Sequence, residues 1–351
     1  MYLKSGVPDQ CTGCFACMDV CPVGAVSKVM RDDSFLYPVI DSSQCVHCGR
    51  CESVCTSGKA GGLLHSPIDC FAGIINNPDS FFASSSGGAF EAAVRAIREI
   101  SPARDLYVVG AIWDEDCKVL HSAVRYSGPE SLRPLNKSKY VQSDTSGIYR
   151  KVEEWLQMES TAVIFSGCPC QAAALRNYLG RDFDNLWIID IICKGAPSQA
   201  FFDQYKAELE ASEEARLIRY SFRNKRILEN GTLYTRSAYY ALDNGAERTV
   251  TRFTDPFLRI FYQKAYHMRP SCLCCQYKTI KRISDITIGD AWGIEKMYEE
   301  INPIRGVSLV LINTERAARL REHMTTTMRI YDCDLAFAVE NNAALRETEC
   351  Q

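Results

Sequence analysis

The stretch Cys11-Thr-Gly-Cys14-Phe-Ala-Cys17-Met-Asp-Val-Cys21-Pro22 decides how this chain is read, because it returns 34 residues later as Cys45-Val-His-Cys48-Gly-Arg-Cys51-Glu-Ser-Val-Cys55-Thr56. Each copy sets three thiols at intervals of three residues and a fourth at an interval of four. A short module repeated at a fixed distance marks an internal duplication. Eight of the 18 cysteines fall here and ten are spread over the rest of the chain. In a reducing compartment that density points to metal rather than to disulfides.

The run C-x2-C-x2-C-x3-C resembles that of bacterial ferredoxins, in which three close thiolates wrap one face of a 4Fe-4S cube and the fourth serves the other cluster. The resemblance implies that Cys11, Cys14, Cys17 and Cys55 hold one cluster and that Cys45, Cys48, Cys51 and Cys21 hold the second. Thr56 stands where the ferredoxin run has proline, which loosens a turn but removes no ligand. Gly13, Gly24 and Gly49 suit loops that bring amides close to cluster sulfur. The alternative is a pair of structural zinc sites, since C-x2-C is also a zinc element. Two complete four-cysteine runs at one repeat favour iron-sulfur. Two clusters in tandem form a one-electron relay, so the remaining sequence is expected to hold a redox partner.

That sequence is long enough for a substantial core. The chain has 351 residues, 46% apolar and 24% charged, near globular averages. Lys+Arg 40 against Asp+Glu 43 gives a formal charge of -3, without the basic excess that favours nucleic acid or an anionic membrane. No run approaches the roughly 18 consecutive apolar residues of a membrane span, and Met1 to Gln10 is polar. The expectation is a cytoplasmic protein with no nucleic-acid partner and no membrane span.

Gly58-Lys-Ala-Gly61-Gly62 reads as a linker, dividing the chain into residues 1–62 and 63–351. Beyond it, Cys70 to Ile75 is a short buried strand. Ser84-Ser-Ser-Gly-Gly88 then precedes an alanine-rich helix over residues 89–100, whose free amides suit a phosphate or an ordinary N-cap. Leu106 to Trp113 and Lys118 to Arg125 read as a hairpin. The loop Lys137-Ser-Lys-Tyr-Val-Gln-Ser143 mixes cations, hydroxyls and an aromatic, which fits a nucleotide or a solvated surface.

Three apolar runs, Thr161–Phe165, Leu186–Ile192 and Asp285–Gly289, each lead into a polar or cysteine turn, the first two followed by helices. That succession predicts a parallel arrangement with ligands beyond the carboxyl ends of the strands. Cys170, Cys193 and Asp290 would then share an edge. Cys272 and Cys275 form a clip that completes a four-thiol set with Cys170 and Cys193: a third cluster, a zinc site or plain buried thiols. Cys168 and Cys274 stand beside these residues. Cys70, Cys117, Cys333 and Cys350 have no partners at ligand spacing and receive no function. The segment from about Ala215 to Arg252, rich in Tyr, Arg and Thr, reads as strands that shape a substrate side or partner face.

Ser-Ser-Gly-Gly at 85–88, Lys-Tyr-Val-Gln-Ser at 139–143, Gly-Cys-Pro-Cys-Gln at 167–171, Ile-Cys-Lys-Gly-Ala-Pro-Ser at 192–198, Arg-Pro-x-Cys-x-x-Cys at 269–275 and Gly-Asp-Ala-Trp-Gly at 289–293 follow one another in the chain. In that order, behind a dicluster ferredoxin-like segment, they resemble the coenzyme F420 hydrogenase/dehydrogenase beta-subunit family. The resemblance implies an α+β protein, with a dicluster ferredoxin-like domain followed by a larger mixed α/β flavin-binding domain. It also implies an iron-sulfur flavoenzyme exchanging electrons with a redox partner protein or ferredoxin and a small-molecule substrate, alone or in a homo- or hetero-oligomer. A non-catalytic electron-transfer subunit shares every one of these motifs.

Carried over position by position, Ser86, Gly87 and Gly88 would approach the FAD phosphates, and Lys139, Tyr140, Gln142 and Ser143 would line the flavin site. Cys170, Cys193, Cys272 and Cys275 would hold a third cluster. Two departures stand out: Cys168 where Thr is more usual, and Lys194 where His is common. Lys194 is the candidate catalytic residue, placed to stabilise an anionic reduced ring.

Cross-ligation is directly testable. Cys21→Ser is expected to damage the cluster of Cys45, Cys48 and Cys51; loss of the EPR signal of the Cys11, Cys14 and Cys17 cluster instead would contradict the ferredoxin topology.

Overall fold

Runs such as Phe71-Ala-Gly-Ile-Ile75, Ala162–Phe165 and Leu309–Ile312 are continuously apolar rather than alternating, which is how strands covered on both faces read. In the computed structural model they form the centre of an eight-stranded sheet. The structure describes residues 1–57, 64–101, 105–227, 233–251, 253–263, 267–302 and 305–346; the linker at 58–62, the boundary at residue 62 and Cys350 lie outside these.

The strands among the described residues are β1 (Val26–Met30), β2 (Leu36–Ile40), β3 (Asp69–Ile75), β4 (Asp105–Trp113), β5 (Val119–Arg125), β6 (Thr161–Gly167), β7 (Leu186–Ile191), β8 (Leu217–Ile227), β9 (Leu233–Leu242), β10 (Glu247–Thr251), β11 (Ile286–Asp290), β12 (Ser308–Ile312) and β13 (Met328–Asp332). The main sheet runs β13-β3-β12-β11-β7-β6-β4-β5. β4, β6, β7 and β11 are mutually parallel, as the strand-turn-helix successions predict. The sheet is nevertheless mixed, because β5 is a hairpin return on β4, and β12, β3 and β13 join antiparallel. The physical reason lies after β11. A parallel successor requires a long crossover, usually a helix, whereas among the described residues only the 3-10 turn Ile294–Lys296 intervenes before β12 returns antiparallel.

Successive residues of each central strand serve opposite faces. Val108, Ile164 and Ile189 join one core with helix Ala89–Ile100 and with Leu320 and Met324 of helix Leu320–Thr325. Val109, Phe165 and Ile188 join another with helices Ile148–Leu156 and Pro169–Leu179. Ala16 and Val54 of the N-terminal segment enter this second core, so the ferredoxin-like module is packed onto one face of the sheet. Within that module β1 and β2 form an antiparallel ribbon between the two cysteine runs. A separate sheet, β10-β9-β8, closes over an aromatic core in which Phe202, Tyr205, Tyr220, Phe222 and Phe257 interlock; Tyr220 and Phe222 have ring centroids 4.7 Å apart.

Gly87 shows how tightly the turn before helix Ala89–Ile100 is set. A Cβ there would lie 2.0 Å from the Gly73 carbonyl oxygen and 2.5 Å from the Ser308 amide nitrogen. The close approach that Gly87 permits is therefore to the backbone of β3 and β12. Gly87→Val is expected to lower the midpoint of thermal unfolding sharply, with a destabilisation of about 3 kcal/mol or more from overpacking. Calorimetry with and without added FAD checks that the loss is independent of flavin.

Candidate redox site

Because β6, β7 and β11 are parallel neighbours, their carboxyl ends lie side by side, and each delivers a functional residue there. Cys168 is the N-cap of helix Pro169–Leu179, placing Cys170 in its first turn; Cys193 follows β7, and Asp290 ends β11. The β7 end is fixed by a fully buried ion pair. Arg282 lies 3.1 Å from Asp190 and donates to the Ile191 carbonyl at 3.1 Å. The clip arrives from another direction: Arg269 N–H donates to the Ala196 carbonyl, Met268 bridges to Pro197, and helix Pro270–Leu273 carries Cys272.

These four thiols lie within one another's electric fields. Cys170 feels the charges of Cys275, Cys193 and Cys272, Cys272 feels Cys193 and Cys275, and Cys275 feels Cys193. Burial first, and then mutual repulsion, pushes Cys170 far up, Cys272 to about 12 and Cys275 upward. Cys193 is the exception, pulled down to about 7 by a hydrogen bond from Cys168. Cys168 thus engages one member of the set. Cys274 is exposed.

The first ferredoxin-like set behaves in the same way. Cys14 feels Cys11 and Cys55, and Cys17 feels Cys14, Cys11 and Cys55; burial raises both thiols, Cys14 to about 11. Cys11, Cys14, Cys17 and Cys55 line a cavity of about 30 Å³. In the second set Cys51 feels Cys48 and Cys21, and Cys48 is exposed. Buried thiols held neutral by crowding form a donor set suited to a polynuclear cationic core, which would neutralise the charge on deprotonation. A lone zinc ion instead draws its donors to about 2.0–2.3 Å.

The two parts are bolted together around these thiols. Arg269, 1% exposed, donates to the carbonyls of Cys11 at 3.1 Å and of Leu36, and to Gln142 Oε1 at 2.9 Å. Its guanidinium lies over Tyr37 at 4.5 Å and Phe35 at 5.0 Å. Gln142 donates to the Thr12 carbonyl at 2.9 Å, and Thr145 donates to the Cys14 carbonyl at 2.7 Å. Asp19 accepts from the amides of Gly147 at 2.6 Å and Tyr149 at 3.1 Å, so the cysteine module caps a helix of the larger part. Thr56 is buried, its hydroxyl 3.4 Å from Thr12 Oγ1 and its carbonyl bonded by Gln276. Cys14, Cys170 and Cys275 all pack against the second core, so members of the first and third thiol sets share one layer of the molecule.

A cluster of buried cations packs around the Ser84–Gly88 turn. Arg223 bonds Asp290 at 2.9 and 3.2 Å, the Ser85 carbonyl at 2.9 Å and the Tyr140 hydroxyl at 3.3 Å, and its Nε is buried without a partner. Lys225 donates to the Phe81 carbonyl at 2.6 Å, Ser84 Oγ at 2.9 Å and the Ser86 carbonyl. Irregular pairing of β8 between Ser221 and Asn224 gives this stretch its local geometry. Burial, reinforced by Arg223, Lys137 and Arg305, brings Lys225 down to about 6, and burial next to Lys137 brings Lys139 down to about 7. Burial opposes the charge of Asp290, but Arg223 holds its carboxyl below the usual range.

The sequence-derived flavin residues separate here. The Ser86 carbonyl accepts from Lys225, and Tyr140 accepts from Arg223 while stacking on Phe261 at 4.4 Å, whereas the Lys139 amine donates to the carbonyls of Pro134 and Asn136. Gly87 and Gly88 are buried in the turn. Gln142 faces the cysteine module, and Ser143 accepts from Gln171 at 2.9 Å. Lys194 is exposed on the turn after Cys193. Sequence reasoning misses the individual roles of Arg223, Lys225 and Arg269. Arg223 and Lys225 stand in a polar strand and carry no signal of burial there, and Arg269 is marked only by its place beside the Cys272 clip.

A module of four-cysteine runs packed on one face of an α/β sheet is that of an iron-sulfur electron-transfer protein. A model for the C terminus of the coenzyme F420 hydrogenase/dehydrogenase beta subunit matches residues 160–334, and a 4Fe-4S dicluster domain model matches residues 10–59. The chain belongs to the coenzyme F420 hydrogenase/dehydrogenase beta-subunit family and carries a 4Fe-4S dicluster domain at its N-terminus. Its fold is similar to a chain of the F420-reducing NiFe hydrogenase complex from Methanosarcina barkeri, at 14% identity and a TM-score of 0.51, covering 81% of this chain and 91% of that chain. No curated protein matches the chain. No helix among the described residues is long and apolar enough to cross a membrane.

An anion bound beside these buried cations would raise the Lys225 amine from about 6, so binding takes up protons at pH values above that and weakens as pH rises. Titration calorimetry with pyrophosphate in buffers of different ionisation enthalpy is expected to show that uptake. It should disappear in Lys225→Met.

Proposed function

We propose that the chain is an FAD-dependent iron-sulfur oxidoreductase, exchanging electrons between its clusters and a small-molecule substrate, a deazaflavin coenzyme or another metabolite. The observation that carries this reading is that Cys14 of the dicluster module and Cys170 and Cys275 of the sheet-edge thiol set pack against one shared core. On this reading residues 1–62 are the dicluster domain and residues 63–351 the FAD and third-cluster domain.

A bound flavin would supply exchange between one-electron and two-electron chemistry, which clusters alone do not provide. Arg223, Lys225, Lys137 and Lys139 supply positive charge for its phosphates, and the partnerless Nε of Arg223 offers an unused donor. Asp290 orients Arg223 and keeps one carboxylate among these cations, limiting the net charge there. Tyr140, held by Phe261 and Arg223, presents an aromatic wall. Lys194, exposed beyond Cys193, is placed to meet a group arriving from solvent. Exposed Cys48, with Val46 exposed beside it, marks the face on which an external redox protein would dock.

A second reading, a non-catalytic electron-transfer subunit of a hetero-oligomer, is favoured by the hydrogenase complex to which the similar solved chain belongs. Turnover of substrate by the isolated, reconstituted chain separates the two.

Three clusters require about twelve irons per chain, against about eight for the dicluster module alone. In full-length protein purified without oxygen, Cys272→Ser combined with Cys275→Ser is expected to lower iron from about twelve to about eight while leaving the dicluster EPR signals in place. Eight irons in the unsubstituted protein would remove the third cluster.

A further inference from the structure

Cys70 and Cys333 are absorbed by none of the thiol sets, yet they face each other. β3 and β13 pair antiparallel with Phe71 opposite Asp332, so Cys70, the residue before Phe71, comes opposite Cys333, the residue after Asp332. Their sulfur atoms are 3.6 Å apart. Opposed residues of antiparallel strands stand about 4.5–5.5 Å apart at Cα, inside the roughly 4.4–6.8 Å range that a disulfide spans. β13 is the end strand of the sheet. β3 runs in the same direction as β11, because each is antiparallel to β12, so Cys70 near the start of β3 lies at the amino edge. Cys170 and Cys193 lie at the carboxyl edge, and the pair is therefore remote from the redox site.

We propose that Cys70 and Cys333 form a redox-active dithiol, which a low-molecular-weight disulfide converts to a cross-strand disulfide that fastens the end strand β13 to β3. The half-exposed Cys333 thiolate attacks one sulfur of the small disulfide, whose S–S bond breaks and releases one thiolate. The Cys70 sulfur then displaces the second small thiolate from Cys333. The protein loses two electrons and two protons, and the two released thiolates take up those protons as free thiols. Cys70 suits the second step: it is 4% exposed, and its bond with Cys333 together with burial holds its thiol well above the ordinary range until a neighbouring sulfur becomes electrophilic. Asp69 and Asp332, both bonded by Arg321, already hold the two strands in register around the pair.

The test treats the cluster-loaded full chain with oxidised glutathione in the absence of oxygen, alkylates remaining thiols, and maps non-reduced peptides by mass spectrometry. The expected product is one linked peptide containing Cys70 and Cys333, two hydrogens lighter than its separate halves, with iron content unchanged and reversal by dithiothreitol. Cys333→Ser is expected to abolish the link and leave Cys70 unmodified, as the more buried thiol does not react first. Free Cys70 and Cys333 after equilibration with excess oxidised glutathione would overturn the proposal. So would a stable glutathione adduct on Cys333 without the link, or linkage accompanied by loss of iron. Because the linked peptide is read in the unsubstituted protein, the result does not depend on a variant folding.

Discussion

The arrangement of this protein rests on the burial of one guanidinium. Arg269 lies three residues before Cys272 and bonds the carbonyl of Cys11, so it touches the backbone of the first thiol set while fixing the approach of the clip at the sheet edge. Removing such a charge from water costs several kcal/mol. Charge-assisted bonds of about 1.5–3 kcal/mol each and cation–π contacts worth up to about 2 kcal/mol are of the same order. The balance is favourable only when the Cys11 and Leu36 carbonyls, Gln142, Phe35 and Tyr37 are all in place. The junction therefore has one register: Arg269 is satisfied when the module is docked, and is left as a buried charge when it is not. Gly13 follows from the same constraint, since a Cβ there would lie 2.3 Å from Gln142 Nε2 and 2.6 Å from Arg269 Nη2.

A second electrostatic choice shapes the surroundings of Ser84–Gly88. Lys225 is satisfied by neutral acceptors, and Asp290 is the carboxylate that answers Arg223. Burial first, and then the neighbouring cations, holds Lys225 and Lys139 well below the usual lysine range. These cations come from β8 and from the loop at 137–140, and their carboxylate from the end of β11, three segments far apart in the chain. The fold thus brings a cluster of buried cations and a thiol set to the same sheet edge, while the Cys70 and Cys333 pair is kept at the opposite edge.

Local spacing carried much of this into the sequence. Cysteine intervals revealed the dicluster module because ligands of one compact cofactor on a short loop must recur at short, fixed distances. Continuous apolar runs revealed β3, β6 and β7, since strands buried on both faces tolerate no alternation. Cys170, Cys193 and Asp290 were legible as neighbours because strand-turn successions and parallel pairing place carboxyl ends together. The β8 cations were not legible: Arg223 and Lys225 look like surface residues of a polar strand, and their burial depends on the Ser84–Gly88 turn folding beneath them. Gly87 was legible as a position that excludes a side chain, but the neighbour it makes room for is the backbone of β3 and β12.

The sequence by itself determined the dicluster module, the alternation of strands and helices, and the family, because each is written in short-range spacing or in motifs that survive as contiguous runs. Only the tertiary structure decided that the sheet is mixed, that Asp19, Gln142 and Arg269 join the module to it, that Arg223 and Lys225 turn inward, and that Cys70 meets Cys333. Each of these depends on residues separated by dozens to hundreds of positions, whose proximity is set by strand order, register and the burial of charge. None of those quantities leaves a periodic trace in the chain.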